Sequence, residues 1–135
     1  GGFGTDLSVN TTGSSADATG MALMALIATK GSGTTAQEES KDAAIAAAKS
    51  WLAKNTVEQN HFEAWGDIDV NSTAYAIMGL KALGEDTSAY QEWLKERVVA
   101  DGGIASAWSE GKGDTFATIQ GLLALDGRSY NELLG

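Results

Sequence analysis

Three stretches of this chain repeat one pattern, and that pattern leaves few folds open. "DATGMALMALIA" from Asp17, "NSTAYAIMGLKA" from Asn71 and "GDTFATIQGLLA" from Gly113 superimpose without gaps. In that superposition Thr19, Thr73 and Thr115 coincide, as do the small residues Ala25, Gly79 and Gly121 and the leucines Leu26, Leu80 and Leu122. Each stretch is apolar nearly all round over about ten residues, the mark of a helix buried on every side. A glycine there costs about 1 kcal/mol relative to alanine, so a repeated small residue points to close approach of a neighbouring helix.

A more polar segment follows each stretch. "DAAIAAAKSWLAK" (Asp42 to Lys54) puts Ile45, Ala48, Trp51 and Leu52 on one stripe, and "SAYQEWLKERVV" (Ser88 to Val99) does so with Tyr90, Trp93 and Leu94. The last segment, "SYNELLG", matches the second through Tyr130, Glu132 and Leu134. These read as amphipathic helices with charge outward. The connecting "KGSGTTAQEES" and "LGEDTS" carry the residues of helix stops and N-caps. A helix buried all round needs cover on two sides. Outer helices give one side and other inner helices the second, which curves the row into an arc. The expected fold is all-α, with three inner–outer helical hairpins in one domain over residues 1–135.

Composition supports this and closes other routes. The 135 residues contain no proline and are 43% hydrophobic, which suits uninterrupted helices around a real core. Nine basic against eighteen acidic residues give a net charge of −9, which repels phosphate backbones and argues against nucleic acid as a partner. There is no cysteine, so disulfides, thiolate metal ligands and cysteine nucleophiles are excluded. The longest apolar run, Met21 to Ala28, is too short to span a bilayer and lacks the basic flank of a signal peptide. The opening "GGFG" has no initiator methionine, so a segment of a longer protein is expected.

"DGGIASAW" (Asp101 to Trp108) lies between an outer helix and the next inner one, the chain starts "GGFG", and each is a Gly-Gly-apolar turn. The third inner helix then opens Asp114-Thr115-Phe116-Ala117, like the start of the type D-T-x-A-x-x-x-x-A-L. The combination resembles the prenyltransferase and squalene-cyclase repeat of the α/α toroid superfamily. The resemblance implies a partial α/α toroid, about half a ring. Members include terpene cyclases, protein prenyltransferase β subunits, complement-type thioester domains and the cobalamin carriers of the intrinsic-factor and transcobalamin type.

The catalytic signatures of these members are not intact. The class II cyclase motif Asp-x-Asp-Asp-Thr-Ala falls on "DVNSTA", Asp69 to Ala74, where Asn71 and Ser72 replace the adjacent acids. Neither an amide nor a hydroxyl can supply a general acid's proton. The prenyltransferase Asp-x-Cys zinc pair falls on Asp17-Ala18-Thr19, and the one histidine, His61, lies in the polar linker "EQNHFEAW", where it reads as a surface residue. Thioester chemistry needs the missing cysteine. Asp67, Asp69 and Asn71 match the first positions of a calcium loop, but Ser72 and Met78 stand where its glycine and bidentate glutamate belong. The simpler reading is that Asn71 or Ser72 caps the helix that follows, with Asp67 and Asp69 favouring its positive end. Trp51 and Trp93 are expected in the core.

No catalytic and no metal-ligating residue is therefore expected. In toroids of this superfamily the inner-helix N-termini face the mouth of the ring. By that resemblance a ligand would meet Trp65, Asp69, Asn71, Tyr75, Trp108, Asp114 and Phe116 there. Aromatic residues beside polar caps suit an apolar body with polar edges. Cobalamin or an isoprenoid is the ligand class the resemblance implies. The expectation is a non-catalytic module of a bacterial cell-surface or secreted protein. Its partners would be other domains of the longer protein or a second copy completing the ring. The alternative is a fragment of a terpene-cyclase- or prenyltransferase-like enzyme whose catalytic residues lie elsewhere.

Overall fold

The computed structural model describes residues 1–4 and 13–134, and of Leu134 only the backbone. It is a mostly helical small domain of five α-helices with one two-strand hairpin: α1 (Ala16–Ala28), α2 (Thr35–Asn55), β1 (Glu63–Ala64), β2 (Asp67–Ile68), α3 (Val70–Ala82), α4 (Ser88–Lys95) and α5 (Thr115–Leu125), closed by a short 3-10 helix, Tyr130–Leu134. The helical expectation is met. The described residues form a row of inner helices, and no closed ring is shown among them.

The inner helices are α1, α3 and α5, with α3 between the other two. Each is preceded by the same hydrogen-bonded cassette. A residue ahead of the helix gives its N–H to a threonine hydroxyl on it: Phe3 to Thr19 at 2.9 Å, Phe62 to Thr73 at 2.9 Å and Ile104 to Thr118 at 2.8 Å. The carbonyl of that residue accepts the amide of the helix N-cap: Ser15 to Phe3 at 2.9 Å, Asp69 to Phe62 at 3.0 Å and Asp114 to Ile104 at 2.8 Å. The N-cap carbonyl then accepts the threonine amide, for Thr19, Thr73 and Thr118 alike. A buried backbone donor outside regular structure needs a partner, and here the partner is the same side chain three times.

This cassette corrects the alignment of the third repeat. "TFATIQGLLAL" contains the pattern threonine, five residues, small residue, leucine in two overlapping forms. One begins at Thr115 and the other at Thr118. The fold uses Thr118, so the equivalent residues are Thr19, Thr73 and Thr118, then Ala25, Gly79 and Ala124, then Leu26, Leu80 and Leu125. Thr115 is exposed on the first turn.

The small residues do what the sequence implied between α1 and α3. A Cβ on Gly20 would lie 2.1 Å from the Tyr75 carbonyl oxygen, and one on Gly79 would lie 2.8 Å from the Gly20 Cα. The two backbones touch. Outside this row, α2 packs over α1 with Ala48 and Leu52 buried, and α4 packs over α3 and α5 with Trp93 and Leu94 buried. Leu23, Phe62, Ala76 and Leu80 share the α2 side of the core, while Ile77, Met78, Ile104, Ala117 and Ala124 share the α4 side.

Four expectations change. Only α3 is buried all round; α5 leaves Phe116, Ile119 and Leu122 exposed, and α1 leaves Met21 exposed. The α2 helix starts at Thr35 within the expected linker, because Thr34 and Gln37 form a reciprocal capping box. The third pair is not a hairpin like the first two. Its 3-10 helix packs on α1, where the Asn131 side chain donates to the Met24 carbonyl at 3.0 Å, and Tyr130 lies against Tyr75. Gly135 and the Leu134 side chain lie outside the described residues. Finally, Trp93 is core as expected, but Trp51 is only partly buried.

Candidate functional site

The residues leading into α3 build a small aromatic-tipped hairpin. Glu63 pairs with Ile68 and Ala64 with Asp67, which leaves Trp65-Gly66 as the two-residue turn. Both turn residues have positive φ, 52° at Trp65 and 82° at Gly66. That geometry matches the turn whose twist suits a hairpin, but it is costly for a bulky side chain. Trp65 is 92% exposed. A large ring in an unfavourable backbone conformation and in full contact with water is uncommon in a merely structural turn.

Beneath this tip lies a cleft of about 470 Å³ between the N-terminal ends of α1 and α3. Trp65, Trp51 and Phe62 supply its aromatic wall, and Asp17, Glu63 and Asp69 supply carboxylates. Asp69 is the N-cap of α3, accepting the Ser72 amide at 3.0 Å, so the cap is Asp69 and not Asn71 or Ser72. Ser72 is itself buried against the cleft.

The seven residues expected at one mouth are divided among separate places. Trp65 and Asp69 line the cleft. Asn71 is on the other side of the α3 N-terminus, where its amide donates to the Gln120 side chain of α5. Tyr75 lies under Tyr130, and burial pushes its phenol above the ordinary value, with Tyr130 and the Asp17 carboxylate adding to that. Asp114 caps α5 and lines a shallower groove of about 290 Å³ with Asp101. Trp108 and Phe116 are exposed and line neither space.

Asp114 is held as a carboxylate. The Ala117 amide donates to one oxygen at 2.9 Å and the Ser106 hydroxyl to the other at 3.0 Å, and the Ala117 bond foremost keeps its pKa below the usual range. Asp101 is lowered in the same direction by the Gly113 and Gly103 amides. Groups stabilised as anions are poor proton donors. Among the described residues no cluster of three or more His, Cys, Asp or Glu is placed to hold a metal ion, and no helix is long and apolar enough to cross a membrane.

His61 is a correction. It is buried, its ring stacks on Trp93 with centroids 4.9 Å apart, and one ring nitrogen meets the Asn60 side chain at 2.6 Å. It occupies the place that Gly2 holds in the first cassette, where the backbone lies against the Trp51 ring. An outer-helix tryptophan thus covers the residue before Phe3 and before Phe62 in the first two of the three cassettes. Sequence reasoning missed Trp51, Asp17 and Phe62 as cleft residues. The available signal was the matching place of Trp51 and Trp93 on their stripes. Comparison with protein-family models, curated proteins and solved structures finds no match for this chain.

Proposed function

We propose that this domain is a non-catalytic binding module, an arc of an α/α toroid that belongs to a bacterial cell-surface or secreted protein. Its ligand or partner is held at the N-terminal ends of α1 and α3. The observation that carries this reading is Trp65, held 92% exposed at a left-handed turn above a cleft of aromatic and carboxylate side chains. The thrice-repeated cassette supports the arc. The carboxylates of Asp69 and Asp114 serve as helix caps, which fits a binding site better than an acid catalyst.

The cleft suits an apolar, preferably planar body on the indole of Trp65, with hydrogen-bond donors or positive charge toward Asp17, Glu63 and Asp69. Three carboxylates oppose a diphosphate, so a polyprenyl diphosphate is disfavoured and an amide-rimmed ring such as cobalamin fits better. Native mass spectrometry with cobalamin and with a polyprenyl diphosphate, each added separately, tests this. The expected result is a cobalamin adduct that Trp65→Ala reduces at least tenfold in affinity without changing the melting temperature. A diphosphate adduct alone would support the enzyme-fragment reading instead. No adduct with either probe would overturn the small-ligand reading.

A further inference from the structure

The inner helices meet each other through two distinct faces. On α1 the face toward α3 carries Gly20 and Leu23, and it rests on Tyr75, Ala76 and Gly79. In the corrected register the matching face of α3 carries Ala74 and Ile77, which are fully buried in the cluster that includes Ala117 and Ala124 of α5. By register the residues of α5 equivalent to Tyr75, Ala76 and Gly79 are Gln120, Gly121 and Ala124, of which Gln120 meets Asn71 of α3 and Ala124 shares the buried cluster. One polar contact crosses the α3–α5 join, where the Asn71 amide donates to the Gln120 side chain.

The same leading face on α5 carries Ile119 and Leu122, with Phe116 one turn earlier. These are 64%, 57% and 73% exposed. Three large apolar side chains on successive turns form a contiguous patch of the kind that marks an interaction site. At the other end of the row, the receiving face of α1 consists of Met21, Ala22 and Ala25. Of these, Met21 and Ala25 are exposed. Among the described residues the row therefore ends with an exposed apolar face on α5 and a largely exposed small-residue face on α1, each the counterpart by register of a face used inside the molecule.

We infer that copies of this chain associate head to tail, with the Phe116, Ile119 and Leu122 stripe of one copy packed on Met21, Ala22 and Ala25 of the next. The join uses the faces that meet at the α3–α5 join, with side chains between the helices; it does not reproduce the backbone contact of α1 and α3, where Gly20 leaves no room for a Cβ. Unlike faces meet, so the association closes into a ring if the rotation per join allows and otherwise extends. The inference rests on the arc in the proposed function, but not on any ligand.

Sedimentation velocity on the chain without added ligand tests it, using two variants at solvent-facing positions. One is Ile119→Glu with Leu122→Glu, and the other is Ala25→Arg. Wild type is expected at twice the monomer mass or more. Each variant alone is expected as a monomer, with an unchanged melting temperature, and an equal mixture of the two is expected as a one-to-one heterodimer through the single intact join. If the double variant melts early, Leu122→Gln takes its place. A wild type that stays monomeric would overturn the inference, as would an Ala25→Arg variant that still dimerises or a mixture that does not pair. Cobalamin binding by a monomeric wild type would show the ligand reading surviving without this one.

Discussion

Thr73 has both of its hydrogen-bonding roles filled inside the core. Its hydroxyl accepts the Phe62 amide at 2.9 Å and lies 2.8 Å from the Asp69 carbonyl, and the residue is fully buried. Thr73→Val keeps the shape and strands a buried N–H, which costs about 1–3 kcal/mol; urea denaturation should show the midpoint shift at an unchanged slope. Gly20 faces a harder limit, because the Tyr75 carbonyl occupies the space of its missing Cβ. Gly20→Ala and the larger Gly79→Leu should each destabilise by at least about 1–3 kcal/mol through overpacking, and wild-type stability in either would contradict the close crossing of α1 and α3. Asp69 is milder. Asp69→Ala should cost about 1 kcal/mol and Asp69→Asn much less, since an amide oxygen caps nearly as well.

Helices α2, α3 and α5 begin where a side chain holds backbone groups. The turn before α2 is gathered by Glu38, whose carboxylate accepts the Gly31 and Gly33 amides at 2.9 Å each and meets Lys41 at 2.8 Å. The Gly31 bond foremost lowers its pKa from 4.5 to about 2. A folded value below the unfolded one stabilises the native state above the unfolded pKa and loses that contribution as pH falls through the folded one. Melting temperature should therefore fall between pH 4.5 and about 2, with Asp101 and Asp114 acting in the same direction, and Glu38→Gln should flatten the decline. The element type and order of the inner helices, α2 and α4 were legible because apolar periodicity and cap residues are local signals. The register of α5 was not, since Thr115 and Thr118 satisfy the same pattern and only the distant Ile104 amide chooses between them. The exposed face of α5 was hidden for a related reason. Periodicity reports an apolar surface, whatever covers it. His61 read as polar surface because its tryptophan partner lies thirty-two positions later, 93 less 61.

At the scale of the whole molecule, three copies of one loop-and-helix cassette stand in a row, with α2 packed over α1 and α4 over α3 and α5. The row places a cleft at one end of α1 and α3 and leaves open faces at its two edges. Trp65 over that cleft was legible as an aromatic beside polar caps, but the assembly of all seven expected residues was not. Their division follows from Asn71 and Tyr75 being spent on contacts with Gln120 and Tyr130. The most direct measurement is hydrogen exchange at the amides of Phe3, Phe62 and Ile104 in wild type, Thr115→Val and Thr118→Val. The account predicts slow exchange at all three in wild type, unchanged in Thr115→Val, with Ile104 alone accelerated in Thr118→Val. Fast exchange of these amides in wild type, or acceleration of Ile104 by Thr115→Val instead, would contradict the repeated cassette on which the rest is built.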